Sequence, residues 1–323
     1  MFSAPPVLRS LGHKLDPGKL AYLTESNDIL EEPRALRERL AEDGYLYIRR
    51  FFDPELILSA RRAIFTPLAQ AGEIDPGRNV MDGFVAPDKI AAFAMDVAPK
   101  FKDGYGAKTK AGNEGSFRPA LAAASPEIRR VVFGPELCGF YASLFGEPIR
   151  HFDFIWTRLM GPGHGTPTHC DWVYMGRGSA NLLTCWIPYV EIPLEVGGLI
   201  LLEKSHLQAE RISSYLKTDV DAYCNNDPRQ VKKVLEEGGW SHRGWLSSRP
   251  DTLPDKFESR WLTSEHWDPG DFLTFRMDLI HGSLDNQSDR LRFSTDTRYQ
   301  PASEPADERW IGVNPPGHSA LGP

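Results

Sequence analysis

The chain has 323 residues, 37 Lys+Arg against 44 Asp+Glu, a net charge of −7 and 41% apolar residues. This ordinary globular composition excludes disorder, leaves room for one large or two small domains, and gives no general electrostatic footprint for a nucleic-acid partner. Cys138, Cys170, Cys185 and Cys224 lack CxxC spacing, and there is no signal-peptide core or apolar run of ~18 residues, so a cytoplasmic protein without a membrane partner is expected.

Residues 1–30, rich in Pro, Ser and charge without periodicity, read as an N-terminal arm laid on the surface, and residues 31–323 as a single domain. The domain opens helix first: Pro33 stands near a helix start, Gly44 at its end, and GYLYIRRFF then alternates as a strand. Asp53-Pro54-Glu55 combines an N-cap, a first-turn proline and a first-turn acid. Leu56, Ala60, Ala63, Ile64 and Leu68 follow at helical spacing up to Gly72, which predicts a helix with one face on a sheet. Ser125-Pro126-Glu127 starts a further helical stretch, broken at Pro135 and closed by Gly146.

From about residue 148 the texture becomes short β-branched and aromatic segments between Gly and Pro: IRHFDFIWTRLM, CDWVYM, NLLTCWIPYV, GGLILL, DFLTFRM and RLRFSTDTRYQ. An all-β core is expected there. The stretch at about 203–268 holds Trp240, Trp245, Trp261 and Trp267 and is too long for an ordinary connection, so it is either a lid or an insertion with its own small core.

Metal ligation by N and O donors needs imidazoles and carboxylates at one point, and residues i and i+2 of a strand share a face. His-x-Asp occurs at His151-Asp153, His169-Asp171 and His266-Asp268, where nine His and 23 Asp in 323 residues give about 0.6 by chance. His266 lies too close in sequence to His281, the best third ligand, to sit on a distant strand. His151-Asp153 competes, but reads better as a polar pair among Phe152, Phe154 and Trp156. His169-Asp171 follows the bend-rich GPGHGTPT and is preferred. FLTF, after the Pro269-Gly270-Asp271 turn, is expected to carry His281 into a barrel interior. Eleven residues on, Arg292 is flanked by Leu291 and Phe293 and should point inward, where only a carboxylate would satisfy it. A bound dicarboxylate would do so; an ion pair with Asp278 or Asp296 is the alternative.

In order, EDGYLYIRRFFDPE, THCD, TCWIP, EVGGLILLEKSH, DPGDFLTF and the H-G-S-x-x-N-x-S-x-x-x-R run from His281 to Arg292 resemble the phytanoyl-CoA dioxygenase-like branch of the Fe(II)- and 2-oxoglutarate-dependent oxygenases. The resemblance implies a mainly β fold with flanking helices, its core a double-stranded β-helix, the cupin-like jelly roll. It further implies Fe(II) held by His169, Asp171 and His281, and 2-oxoglutarate met by Arg292 with Ser283 and Trp186 lining it. The expected reaction uses O2 to hydroxylate or otherwise oxidise a small-molecule substrate, with formation of succinate and CO2. Asp171, a carboxylate where halogenating relatives have a small residue, argues against halogenation. A cupin-like metal-binding isomerase, hydrolase or binding protein that does not use 2-oxoglutarate is the competing reading.

By the same reading His206 is a structural turn residue, His164 is loop surface, and Cys170 faces away from the ligands. Arg158, Arg177, Arg243 and Arg249 are surface charges or contacts for an anionic substrate. Neither substrate identity nor oligomeric state is marked in the sequence.

Overall fold

The computed structural model describes residues 7–93, 119–163, 165–220, 244–313, 315 and 317. Trp240, Arg243, Cys224 and His164 lie outside the described residues.

The chain begins with a hairpin, β1 (Arg9–Ser10) and β2 (His13–Lys14), whose turn amides Leu11 and Gly12 each donate to the Asp285 carboxylate at 2.8 Å. β3 (Leu20–Tyr22) then adds itself, in parallel, to the edge of a sheet, so the arm contributes a strand and buries Leu15 and Leu23. α1 (Pro33–Asp43) starts at its proline and ends at Gly44, whose φ of +81° suits glycine and lets its amide donate to the Leu40 carbonyl. β4 (Tyr45–Ile48) and α2 (Pro54–Gln70) follow, the latter capped by Asp53, whose side chain accepts from the Glu55 amide at 2.7 Å. Two more helices span Pro126–Val132 and Pro135–Phe145, divided at the predicted proline.

The core strands are β5 (Ile149–His151), β6 (Trp156–Met160), β7 (Thr168–His169), β8 (Leu183–Pro188), β9 (Ile192–Pro193), β10 (Leu199–Leu202), β11 (Trp245–Ser247), β12 (Trp261–Thr263), β13 (His266–Trp267), β14 (Phe272–Arg276), β15 (His281–Ser283) and β16 (Arg292–Pro301). Apart from β9 and β13, which pair with each other, they form two facing sheets. The major one runs β4-β14-β8-β16-β5, with β6 also on β16, and the minor one β11-β7-β15-β10-β12-β3. This is the double-stranded β-helix, with helices on the outside of the major sheet.

Residues directly opposite in an antiparallel pair share a face, so the register sorts the side chains. Phe293, Thr295 and Tyr299 of β16 face the helices: Phe293 packs on Phe65 of α2, and Tyr299 stacks on Tyr141 at 4.0 Å. Arg292, Ser294, Asp296 and Arg298 of the same strand point into the barrel, beside Arg158 and Trp156 on β6 and Trp186 and Thr184 on β8. Outside the minor sheet, Ile200, Leu202, Trp261 and Ile280 are covered by Ile212, Leu253 and Phe257 of the long insertion. Trp261 belongs to that satellite core and donates its indole N–H to the Pro250 carbonyl, whereas Trp267 lies in the main core.

Two strand expectations are corrected. CDWVYM is not a strand: Trp172–Met175 is a helical turn whose Tyr174 and Met175 amides donate to the Asp171 carbonyl, at 3.0 and 3.2 Å. Local hydrogen bonding there overrides the β propensity of Trp, Val and Tyr. FLTF lies on β14 of the major sheet, while His281 sits on β15 of the opposite one, the residues between them turning the chain from sheet to sheet.

Candidate metal centre and cosubstrate pocket

β7 and β15 are neighbours in the minor sheet, and their register sets His169 directly opposite His281, with both imidazoles facing the barrel interior. Asp171 arrives by a different route from the expected one. The strand ends at His169, and Asp171 already has helical angles, φ −64° and ψ −23°. A strand edge plus the first residue of a helical turn, rather than one face of one strand, brings the pair together.

One donor atom from each of His169, Asp171 and His281 lies within 4.8 Å of the others, and all three residues are buried; among the described residues this is the one such grouping of three. Asp171 Oδ1 is 3.4 Å from His169 Nε2 and 3.7 Å from His281 Nε2. An ion with bonds of ~2.1 Å at right angles would set its donors about 3 Å apart, so small rotamer changes complete a facial site. Both imidazoles are oriented from behind, with Nδ1 of His169 2.7 Å from the Pro167 carbonyl and Nδ1 of His281 3.0 Å from that of Leu279. Only an Nδ1–H donates there, which leaves each Nε2 lone pair facing the centre. Burial, with His169 alongside, pushes the His281 pKa down to about 3, so its imidazole is held neutral.

The other oxygen of Asp171 is fully used. Oδ2 accepts from Arg298 Nη2 at 2.7 Å and from the Thr184 hydroxyl. Burial would raise this carboxyl, but the charge of Arg298 and the two imidazoles hold it well below the ordinary carboxylate range. Arg298 is 2% exposed, lies 4.1 Å over the Trp156 ring, and donates its other nitrogen to Asp296 at 2.7 Å. Asp296 in turn is paired with Arg158, also at 2.7 Å. The sequence reading missed Arg298 and Thr184, and offered Asp296 only as a partner for Arg292, whereas it pairs with Arg158 and Arg298. The signal was present in RFSTDTRY, which carries a polar residue at every second position of a buried strand.

Arg292 is 1% exposed and donates Nη1 to the Gly197 carbonyl at 2.6 Å, while its Nε and Nη2 have no partner; the inward Ser294 hydroxyl has none either. It pairs with neither Asp296 nor Asp278, which are taken by Arg158 with Arg298 and by Arg276. Burial, and Arg158 nearby, push the Arg292 pKa down to about 9, the mark of a cation short of compensating charge. A row of unused donors on the inner face of β16 fits a carboxylate-bearing cosubstrate. Trp186 is a wall of the pocket that holds the triad. Ser283 sits beside it against the 165–166 loop, its hydroxyl accepting from the Thr166 amide at 2.7 Å.

The rival His-x-Asp pairs lie elsewhere. His151 is 3.4 Å from Asp153 and stacked on Phe133, and His266 is 3.3 Å from Asp268, which is held by Arg49. His206 meets the Ala41 carbonyl under α1, and Cys170 is buried in the satellite core. Arg177 and Arg249 pair with Asp219 and Asp251 on the surface. No helix among the described residues is long and apolar enough to cross a membrane.

The chain is 25% identical over 293 residues to a 1-deoxypentalenic acid 11-beta-hydroxylase of Streptomyces exfoliatus, covering 88% of this chain and 87% of the relative. It is 24% identical over 290 residues to the enzyme of that name from Streptomyces arenae, covering 85% and 83%. The fold is shared with EctD from S. alaskensis, solved with 2-oxoglutarate and 5-hydroxyectoine, at a TM-score of 0.52 and 17% identity over 95% of this chain and 88% of that one. It is shared too with SnoK, a non-heme alpha-ketoglutarate-dependent carbocyclase of nogalamycin biosynthesis, at a TM-score of 0.50 and 18% identity over 84% and 85%. The model of the phytanoyl-CoA dioxygenase (PhyH) family matches residues 40–294, and the chain belongs to that family, as an oxygenase that uses Fe(II) and 2-oxoglutarate.

Proposed function

We infer that His169, Asp171 and His281 hold the ferrous ion, that Arg292 and Ser294 receive the distal carboxylate of 2-oxoglutarate, and that the enzyme hydroxylates a small carboxylic acid. The buried, under-compensated guanidinium of Arg292 is the observation that carries the cosubstrate part of this reading. Bound iron and 2-oxoglutarate supply the oxidative chemistry, O2 being consumed with release of succinate and CO2. The chain's own residues bind and orient. The Pro167 and Leu279 carbonyls fix the imidazole tautomers, Arg298 and Thr184 fix the carboxylate, and Trp186, Phe275 and Leu199 wall the pocket against water. Ser283 acts through the loop it braces.

The substrate class rests on Arg158 and on the acid in the name of the Streptomyces relatives. The Arg158 side chain is 24% exposed on the pocket wall, with one edge on Asp296 and the other open. A reducing, cytoplasmic setting suits the free thiols of Cys138, Cys170 and Cys185. We treat residues 31–323 as one oxygenase domain, to whose minor sheet the N-terminal arm adds β3.

Anaerobic addition of Fe(II) and 2-oxoglutarate tests the assignment. A weak charge-transfer absorption near ~500 nm is expected when the keto acid chelates iron at an open triad. It should need far more 2-oxoglutarate in Arg292→Gln, whereas an unchanged titration would remove Arg292 from the role. Iron binding without any band would favour a metal-binding cupin that does not use the keto acid. In Arg158→Gln, succinate formation stimulated by apolar carboxylic acids should show a raised KM for the acid and an unchanged KM for 2-oxoglutarate.

A further inference from the structure

One wall of the pocket continues away from the metal centre as three easily oxidised rings in contact. Trp186 on β8 meets Trp267 on β13 edge to face, with ring centroids 4.9 Å apart and planes at 72°. Trp267 meets Tyr47 on β4 in the same manner, at 4.8 Å and 64°. Indole and phenol are the protein rings from which one electron is most readily removed, whereas the many phenylalanines of this core would block such a path. All three rings are 2% exposed or less, and the Tyr47 hydroxyl donates to Asp271 Oδ2 at 2.9 Å.

Where a proton can go decides where an electron vacancy comes to rest. Neither Trp186 Nε1 nor Trp267 Nε1 has a hydrogen-bond partner, so an oxidised indole in this path has no base to take its N–H proton. Tyr47 has one, the fully buried carboxylate of Asp271, itself held by the Arg50 and Asp268 amides at 3.0 Å each. The packing keeps the rings close: a side chain on Gly198 would start 2.1 Å from Trp267 Nε1, and the glycine leaves that edge room. Of the other rings near the site, Tyr174 lies edge-on to the His169 imidazole at 5.5 Å, and the exit through Trp156 is closed electrostatically. Trp156 touches Trp310 at 4.8 Å, but Arg298 lies over the first ring at 4.1 Å and Arg309 over the second at 5.6 Å. A cation on the ring face makes removal of an electron harder.

We propose that Trp186, Trp267 and Tyr47 form an oxidant-discharge path, with Asp271 as terminal proton acceptor, which protects the pocket when O2 is activated and no substrate consumes the oxidising equivalent. One electron passes from Tyr47 through Trp267 and Trp186 to the metal centre, each tryptophan losing and regaining it. The phenolic proton moves to Asp271 Oδ2. The products are a centre reduced by one electron, a neutral Tyr47 radical and a protonated Asp271; a small thiolate restores the tyrosine by giving up one electron, becoming a thiyl radical, while the proton returns from Asp271 to the phenol oxygen. The path rests on the assignment of the metal to the triad.

The test uses the full chain loaded anaerobically with Fe(II) and 2-oxoglutarate, the charge-transfer band being recorded first. It is then mixed with O2 without substrate, freeze-quenched for electron paramagnetic resonance, and mapped by peptide mass spectrometry. A tyrosyl radical is expected in the native protein. It should be lost in Tyr47→Phe at equal band intensity, and fall several-fold in Trp267→Phe, with a matching rise in oxygen addition to Trp186 and its neighbours. An equal tyrosyl signal in Tyr47→Phe, oxidation of Trp186 that does not change in Trp267→Phe, or succinate formation without any tyrosyl radical in the native protein would each overturn the path. Absence of the charge-transfer band would overturn it through the underlying metal assignment, a failure the first spectrum separates from the others.

Discussion

Asp171 divides its two oxygens between different tasks: Oδ1 faces the imidazole nitrogens, while Oδ2 is spent on Arg298 and Thr184. That division favours one-oxygen ligation and holds the carboxylate ready in a buried site where a lone charge would be costly. Replacing Arg298 removes a buried partner from Asp171 and from Asp296 at once. Arg298→Met is therefore expected to weaken Fe(II) binding by about 10–100-fold, measured by titration of the charge-transfer band, and to lower thermal stability by several kcal/mol. Thr184→Val, which removes one neutral donor and keeps the shape, should have a smaller effect in the same direction. A metal affinity unchanged in Arg298→Met would reduce the residue to a scaffold role. Asp171→Ala should abolish metal binding, and a variant of normal iron affinity would redirect attention to Asp153.

At the scale of elements, caps and glycines were legible because their physics is local. The Asp53 cap and the Gly44 terminus fell where the sequence placed them, since each answers to a few neighbouring backbone groups. Asp53→Ala should cost about 1 kcal/mol, seen as a drop of about 2 °C in Tm. Gly44→Ala should cost more, because the residue has φ +81° and its new Cβ would lie 2.5 Å from His206 Nδ1. Removing that ring as well, in Gly44→Ala with His206→Ala, should recover the steric part and leave the backbone part, which a double-mutant cycle reads directly. CDWVYM failed as a strand because Asp171 turns the chain through its carbonyl, an interaction that propensity does not count. The inward row of β16 was half legible: Arg292 stood out against its apolar flanks, whereas Arg298 needed the alternation to be followed to the end of the strand.

For the whole molecule, burial of neutral histidines links stability to pH. Burial lowers the pKa of both His151 and His206 from the ordinary value of 6.5. As pH falls below 6.5 the unfolded chain takes up protons there while the folded one does not, so acid favours unfolding until the lowered folded values are reached. The metal-free protein should accordingly lose Tm between about pH 7.5 and 5.5, and lose less of it in His151→Gln. By itself the sequence determined the helix-to-strand entry, the β core from about residue 148, the triad candidates and Arg292, because these rest on residue type, short-range spacing and an ordered set of motifs. Only the tertiary structure decided which of three His-x-Asp pairs meets His281, that Arg292 has no protein carboxylate, and that Arg298 backs Asp171. Each of these depends on the register between strands far apart in sequence, which is set by the packing of two whole sheets and leaves no local mark.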